Sequence, residues 1–287
     1  MTSINLPMYK IIELKGQKSR QLIQSISSTD LSSCTEGTGK WAAFLDRFAR
    51  VQAIAAVWFT SESIYIQCFA SFADNFKKFL QPYCITTQTS MTELTYYQST
   101  VHGSDAKPIT GKHEEMKPET MKLIDSGFIV SHSFWGVQCI DSFSSEQIKT
   151  KKIEESEFHN LAWNHSRPFP GIDFDSAFML LETGYGYLAD RKDCYVGQEI
   201  IARMRSRKAD CAKEVVKFTI EKESKKSPVE FTHQGEIIGK ITTQIKDKNE
   251  IRCFGFLKKP WYSHTAIDLD SGISLKQISR VTQQHRI

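Results

Sequence analysis

The stretch RKDCYVGQE (191–199), followed by IIARMRSR (200–207), is the most informative part of the chain. Its single cysteine, Cys194, lies two residues after Lys192 and three residues after Arg191. Nearby cations stabilise a thiolate relative to a thiol. The spacing therefore favours a reactive cysteine at this position.

The residues that follow Cys194 predict a helix that starts at Gly197–Glu199. Its expected buried face consists of three apolar residues: Ile200, Ile201 and Met204. The amides at a helix start also favour a thiolate, whereas the carboxylate of Asp193 opposes it. A small buried packing residue is the alternative interpretation of Cys194, and the chemistry of the segment leaves both open.

Length and composition define the broad class of the protein. The chain has 287 residues, which suits about one to three domains. Its hydrophobic share of 40% and charged share of 24% are ordinary for a globular protein and exclude collagen-like and disordered classes. The longest apolar run, 53–59, is far shorter than the ~18 residues that cross a membrane. Because MTSINLPMYK (1–10) shows neither an export nor an import signal, we expect a soluble cytoplasmic protein without a membrane partner.

The cysteines are scattered, and no two of them lie two or three residues apart: Cys34, Cys68, Cys84, Cys139, Cys194, Cys211 and Cys253. This distribution lacks the ligand spacing of zinc and iron–sulfur sites, so no metal site is predicted. A chain of this length builds a core without disulfides, so we expect reduced thiols.

The net charge of +4 is small, but it is concentrated in one segment. Between Arg191 and Lys217 there are eight Lys or Arg residues and four acidic residues. One interpretation is a solvated helix face followed by a linker. The other is a surface that attracts an anion, such as a polyglutamyl tail, a phosphate or RNA, although no RNA-binding motif accompanies it.

Two regions of the chain differ in their patterns. Residues 1–208 mix helix and strand patterns, and 36–142 form a candidate inner subdomain. From 209 to 287, short β-branched and aromatic runs alternate with polar turns that include Gly235 and Gly239. The sequence therefore predicts an α+β protein whose region 209–287 is a small C-terminal β-barrel or sandwich.

Three further helices are predicted in the first region from capping residues and prolines. The first opens at Ser19, the second spans 71–80 with Pro82 beyond its end, and the third spans 145 to about 163. A strand is predicted at 84–89.

Six of the eight positions of the motif K-G-C-Y-x-G-Q-E are matched in this chain, by Lys192, Cys194, Tyr195, Gly197, Gln198 and Glu199. The segment thus resembles the signature of the YgfZ-type folate-binding proteins, which are relatives of the glycine-cleavage aminomethyltransferase (T-protein). Weaker similarity extends over most of the chain, at 9–16, at AAFLDRFAR (42–50), at 161–173 and at GEIIGKITT (235–243).

The resemblance implies a T-protein-like, folate-binding α+β region followed by the C-terminal β-barrel, with a cavity that holds tetrahydrofolate. It also implies an accessory role in the maturation or repair of iron–sulfur enzymes, including those that thiolate tRNA. The expected partners are folate and iron–sulfur enzymes or their assembly machinery, with tRNA contacted indirectly. A conventional enzyme is not expected, although the resemblance leaves catalysis open.

The resemblance also implies the site residues. Cys194 is the functional thiol, with a chemical role that is left open. The residues implied to hold the cofactor are the rest of the signature and the basic residue that follows it, namely Lys192, Tyr195, Gly197, Gln198, Glu199 and Arg203. Tyr9 or Trp163 is expected to stack on the pterin ring, because an aromatic face buries a flat ring well; a place in the core is the alternative for each.

Departures from the family pattern keep two other functions open. Asp193 replaces the usual glycine of the signature, and Ser166 stands where relatives offer a carboxylate to the pterin donors. A divergent RNA-associated scaffold that lost folate is the first alternative. The second is a tetrahydrofolate-dependent aminomethyl- or methyltransferase, for which Asp46 or Asp173 is the candidate catalytic carboxylate.

Overall fold

The computed structural model of the chain describes residues 2–3, 8–102, 116–146, 151–152, 155–189, 192, 194–221, 229–246 and 250–281. The chain divides into two compact units. Unit 1 consists of 1–46, 52–155 and 188–198, and unit 2 consists of 47–51, 156–187 and 199–287. These units reflect spatial proximity, so the expected domains at 1–208 and 209–287, with an inner subdomain at 36–142, stay predictions.

The described strands of unit 1 form three sheets. The strands are β1 (Thr2–Ser3), β2 (Tyr9–Lys15), β3 (Gly39–Leu45), β4 (Val51–Phe59), β5 (Ile64–Phe69), β6 (Ser90–Leu94), β7 (Tyr97–His102), β8 (Thr120–Ile124), β9 (Gly127–His132), β10 (Cys139–Ser144) and β11 (Lys151–Lys152). The order β3-β4-β5-β2-β6 makes a five-stranded sheet, β7-β10-β9-β8 makes a four-stranded sheet, and β1 pairs in parallel with β11. The apolar run VQAIAAVWF of β4 is buried along almost its whole length, which places this strand in the core.

Apolar spacing explains the helices of unit 1. Helix α1 (Ser19–Ile26) begins at Ser19, as predicted, and buries Leu22, Ile23 and Ile26 on one side. Helix α2 (Ala70–Thr87) buries a stripe that consists of Phe72, Ala73, Phe76, Leu80 and Cys84.

Helix α2 is longer than predicted. It continues past Pro82, which lies inside the helix, as far as Thr87. The predicted helix end before Pro82 and the predicted strand at 84–89 are therefore wrong. A proline inside a helix costs about 3 kcal/mol, but Leu80 and Cys84 continue the buried stripe at a four-residue spacing and offset that cost.

Helices α3 (Glu155–Asn164) and α4 (Gln198–Ser206) lie almost wholly in unit 2. The predicted helix at 145–163 starts too early, because Lys151–Lys152 form β11. The Lys- and Glu-rich first half of that prediction lacks an apolar stripe to bury. Residues 147–150 and 153–154 lie outside the described part of the chain.

The six strands of unit 2 form one nearly closed, barrel-like sheet. They are β12 (Lys213–Glu221), β13 (Glu230–His233), β14 (Glu236–Lys246), β15 (Glu250–Lys258), β16 (Ile267–Asp268) and β17 (Ser274–Arg280), in the order β13-β14-β15-β12-β17-β16. Short 3₁₀ turns span Leu180–Glu182, Gly186–Ala189 and Trp261–Ser263. The predicted α+β class with a C-terminal β-barrel is confirmed.

Backbone and side-chain bonds join the two edges of this sheet. The amide of Asp270, just after β16, donates to the carbonyl of Thr232 in β13 at 3.0 Å. Its carboxylate accepts hydrogen bonds from the amides of Gln234 and Gly235 in the turn after β13. Gly235 has a φ of +80°, which favours glycine, so the predicted bend at this residue is confirmed.

The interior of the sheet of unit 2 is apolar. It is lined by residues that alternate along the strands, among them Val216, Phe218, Phe231, Cys253 and Leu275. Across the described residues, no helix combines the length and the apolar character that crossing a membrane requires.

Candidate functional site

The thiol of Cys194 is exposed, whereas the other six cysteines are buried. Burial raises the pKa of Cys211 and of Cys253 to about 12, so these thiols stay protonated at neutral pH. The alternative that Cys194 is a buried packing residue is therefore wrong. The signature segment presents the accessible thiol of the chain.

Lys192 anchors the segment that carries Cys194. Its Nζ donates hydrogen bonds to the carbonyl of Ser27, at 2.7 Å, and to the carbonyl of Gln24, at the end of α1. The last carbonyls of a helix lack partners within the helix and attract cations, so a lysine suits this position. Arg191 and Asp193, which the sequence places beside Cys194, lie outside the described residues.

The ammonium of Lys192 is half-buried and lies within electrostatic range of the thiol. Burial lowers the pKa of Lys192, while the charges of Asp30 and Cys194 raise it. The expected proximity of this cation to Cys194 is therefore observed. Lys192 acts as a structural anchor and also sets the local charge.

We expect Lys192→Met to destabilise the folded chain by about 1–2 kcal/mol, because it removes two hydrogen bonds from a charged donor at a half-buried site. Urea unfolding of the full chain measures this loss. Lys18→Met, which removes an exposed lysine at the other end of α1, is the matched control and should change stability by less than about 0.5 kcal/mol. Equal stability of both variants would contradict the anchoring role.

Three further signature residues shape the loop and the start of α4. The Tyr195 side chain is buried, and its carbonyl accepts a hydrogen bond from the amide of Gln198 at 3.2 Å. Gly197 has a φ of +85°, a conformation that residues with a Cβ rarely adopt. The predicted helix start is confirmed, although only Ile201 of its expected apolar face is fully buried.

The remaining signature-linked residues lie in unit 2. Glu199 and Arg203 form an exposed i,i+4 ion pair at 2.5 Å in the first turns of α4. Such a pair contributes well under about 1 kcal/mol to stability. Its exposure gives no enclosed surface for a cofactor, so the assignment of both residues to folate stays a prediction.

Tyr9 belongs to an aromatic cluster inside unit 1. Its ring centroid lies 4.9 Å from that of Phe69 and 6.1 Å from that of Trp41. Trp41 in turn lies 4.0 Å from Phe134, with an angle of 30° between the ring planes. Tyr9 is only 2% exposed, so its part in stacking a pterin stays a prediction.

The indole N–H of Trp41 is a buried donor. Its Nε1 is buried and has no acceptor among the described residues. A buried donor left in this state costs about 1–3 kcal/mol. An acceptor on the edge of a heteroaromatic ring, such as a pterin, would satisfy this donor. Trp41 is thus a candidate donor to the cofactor, and the sequence analysis missed it because WAAFLD (41–46) reads as an ordinary buried strand.

Behind this cluster lies a buried hydrogen-bond network. The carboxylate of Asp141 accepts bonds from Thr100 at 2.7 Å, from Gln67 at 2.5 Å and from Nε2 of His132 at 2.9 Å. Because Nδ1 of His132 accepts the amide of Phe134, Nε2 carries the ring proton. The ring of His132 packs against Trp41 with centroids 5.4 Å apart. The network thus links β5, β7, β9 and β10 beside Trp41.

Trp163 lies in unit 2 at the end of α3. Its indole nitrogen donates to the carbonyl of Cys253 at 3.1 Å. Two cations lie over its ring, with Lys217 Nζ at 4.7 Å and Arg252 Cζ at 5.1 Å from the centroid. Stacking of Trp163 on a pterin stays a prediction, and its surroundings suit a charged ligand instead.

The two candidate catalytic carboxylates of a transferase, Asp46 and Asp173, lie in different environments. Asp46 is half-buried in unit 1, just after β3. Asp173 is buried in unit 2, where it accepts hydrogen bonds from Thr242, Thr243 and the amide of Phe169. Asp173 thereby ties its loop to β14, which gives it a structural role. Ser166 is fully buried, with a φ of +54°.

Asp173 predicts a pH dependence of stability. Burial raises its pKa from 3.8 to about 6, against the opposing effect of its hydrogen bonds. Between about pH 4 and pH 6 the folded chain holds a proton that the unfolded chain releases, so this group makes stability fall as pH rises through that window, by about 3 kcal/mol. Urea unfolding at pH 4 to 7 should show this fall in wild type relative to Asp173→Asn. The same pH dependence of the free energy of unfolding in wild type and in Asp173→Asn would contradict this prediction.

No group of three or more His, Cys, Asp or Glu side chains that could hold a metal ion occurs in the part of the chain that the structure describes. The candidate features of unit 1 are the exposed thiol of Cys194, its lysine anchor, and a buried aromatic cluster in which the Trp41 indole N–H has no acceptor among the described residues.

The fold of this chain is similar to that of the glycine cleavage system aminomethyltransferase T from Bartonella henselae. The TM-score is 0.80 and the sequence identity is 10%, and the match covers 98% of this chain and 85% of that chain. No family model and no curated protein matches the sequence. At this identity the likeness shows the fold, so the expected T-protein-like architecture is confirmed. The finer resemblance to YgfZ-type proteins stays a prediction.

Proposed function

We propose that the protein binds tetrahydrofolate and works as an accessory in the maturation or repair of iron–sulfur enzymes, including those that thiolate tRNA. The observation that carries this proposal is the exposure of Cys194, with Lys192, Tyr195 and Gly197 holding its loop. Cys194 is the signature residue that presents an exposed sulfur to a partner. The match of this segment to the YgfZ-type signature supports the same role.

The proposed folate site lies at the aromatic cluster of unit 1. Trp41 donates its indole N–H to an acceptor on the edge of the pterin, and Phe134 and Phe69 supply apolar contact. The His132–Asp141 network holds these rings in place. Bound tetrahydrofolate supplies a reduced ring that carries one-carbon groups.

The accessory role follows from the chemistry of a thiol. Thiolate sulfur is a soft ligand that suits iron–sulfur clusters. An exposed thiol on an anchored loop can reach a cluster or a cluster enzyme, which a buried thiol cannot. The expected partners, folate and iron–sulfur enzymes or their assembly machinery, belong to this proposal.

Titration of the full chain with tetrahydrofolate tests the folate site. We expect Trp41→Phe to weaken binding by about 5- to 20-fold, because phenylalanine keeps the ring and removes the N–H. Isothermal titration calorimetry under anaerobic conditions measures the dissociation constants.

The control for this titration is Trp261→Phe, which makes the same change in unit 2. It should bind tetrahydrofolate as wild type does. Equal affinity of Trp41→Phe and wild type for tetrahydrofolate would contradict the proposed site. Absence of tetrahydrofolate binding by wild type would contradict the proposed folate function.

A second candidate is a tetrahydrofolate-dependent aminomethyl- or methyltransferase. The name of the structural neighbour, an aminomethyltransferase, favours it. Against it, Asp173 uses its carboxylate within the chain. Asp46 is the other candidate base. Turnover of a folate-linked aminomethyl group by wild type, lost in Asp46→Asn, would establish this alternative.

A further inference from the structure

Trp163 is docked on the outer face of the six-stranded sheet of unit 2. The hydrogen bond from its indole nitrogen to Cys253 fixes the ring against β15. Lys217 in β12 and Arg252 in β15 stand over that ring. Their neighbours in sequence, such as Phe218 and Cys253, point into the apolar core, so the two cations lie on the outside.

Lys217 and Arg252 are neighbours by strand register. In the antiparallel pair of β12 and β15, Thr219 lies opposite Arg252, so Lys217 is diagonal to Arg252 on the same face. Like charges at such positions repel each other. The ring of Trp163 offsets part of this repulsion through its contacts with both cations.

Arg167 adds positive charge near this pair, and His165 lies beside it. Burial lowers the pKa of His165, and the charges of Arg167 and Lys217 lower it further, so these three side chains lie within electrostatic range. Arg167 donates to the hydroxyl of Tyr187 at 2.7 Å, while its buried Nε has no acceptor among the described residues.

Glu250 supplies negative charge to this cluster. Arg252 is paired with Glu250 at 3.2 Å and also donates to Asn160. For Lys217, the described part of the chain supplies no carboxylate within ion-pair distance, and Nζ contacts the carbonyl of Trp163, at 3.4 Å, and the ring of the same residue. Burial lowers the pKa of Lys217 without compensation from an acid. The Lys217 ammonium is therefore a candidate contact for a bound anion.

We propose that Trp163, Lys217 and Arg252, with His165 and Arg167 beside them, form a phosphate-binding site on the outer face of the barrel. The ligand is the phosphate of a nucleotide, either free or within an unpaired RNA strand. A terminal phosphate carries more negative charge than a carboxylate, a phosphate within a strand carries one charge, and both accept several donors at once, which suits two adjacent cationic donors. Trp163 is a positioning residue that holds both cations at one ring. The proposal is independent of folate binding.

Binding of three phosphate probes to the full chain tests this site: inorganic phosphate, AMP, and a labelled single-stranded RNA of about ten nucleotides. We expect Lys217→Gln and Arg252→Gln each to weaken RNA binding by about 5- to 10-fold and to reduce the dependence of log affinity on log salt by about one unit. Lys258→Gln removes an exposed cation on the face of β15 that carries Arg252. It should leave the affinity for RNA and its salt dependence unchanged.

The three probes and a polyglutamate peptide separate the outcomes. A higher affinity for the RNA than for AMP assigns the site to an RNA strand. Equal affinities for the RNA and for AMP assign it to a free nucleotide. Tighter binding of polyglutamate than of RNA would overturn the choice of phosphate. Binding of none of the phosphate probes at about 0.1 M salt, or equal loss in Lys258→Gln, would overturn the site.

Discussion

Replacing Cys194 with alanine should abolish the ability of the protein to restore iron–sulfur enzyme activity in a strain from which its gene has been deleted. The change removes the exposed sulfur while leaving the anchors of its loop, Lys192 and Tyr195, in place. Because the side chain is exposed, the free energy of unfolding should change by less than about 0.5 kcal/mol. Function is then lost without loss of fold. The measurement is the activity of an iron–sulfur enzyme in extracts, beside urea unfolding of the purified variant.

Cys84→Ala is the matched control for this experiment. It removes a buried thiol of α2 and should cost about 1 kcal/mol of stability while keeping function. Full activity of Cys194→Ala would separate the thiol from the role that we propose. Loss of activity in both variants would point to stability instead of sulfur chemistry.

Asp141→Asn should lower the free energy of unfolding of unit 1 by about 3 kcal/mol or more. Three donors, from Thr100, Gln67 and His132, converge on a carboxylate that is only 1% exposed. An asparagine offers one oxygen and one N–H₂ group, so at least one buried donor faces another donor. Losing a hydrogen bond to a buried charge costs about 1.5–3 kcal/mol, and the unpaired donor adds to that.

Urea unfolding followed by near-ultraviolet circular dichroism measures this loss, since the network adjoins the aromatic cluster. Asp125→Asn makes the same chemical change in the exposed turn between β8 and β9, and should leave stability unchanged. If Asp141→Asn unfolded at the same urea concentration as wild type, the network would not hold the cluster. Weaker tetrahydrofolate binding by a folded Asp141→Asn would fit its role behind Trp41.

The local patterns of the sequence were sufficient to predict several elements. Helix α1 and the strands of the barrel follow from apolar spacing within each segment. Helix α2 shows the limit of such patterns, since burial of Leu80 and Cys84 overrides the local effect of Pro82. The start of α4 was predictable because Gly197 adopts a conformation that favours glycine.

The site was predictable only where its residues are close in sequence. Lys192, Cys194 and Gly197 lie within one octapeptide, and the structure gives each a distinct place. Trp41 and the His132–Asp141 network come from separate strands, and no spacing in the sequence links them. The outer-face position of Lys217 and Arg252 likewise depends on strand register.

The central claim is that the indole N–H of Trp41, which has no acceptor among the described residues, marks the pterin site of a folate-binding protein. Its most direct test is a crystal structure of the full chain with 5-formyltetrahydrofolate, a stable reduced folate. We expect the pterin to lie against Trp41 and Phe134, with a ring acceptor about 3 Å from Nε1. Folate bound elsewhere, with the indole nitrogen of Trp41 still lacking an acceptor, would contradict the claim.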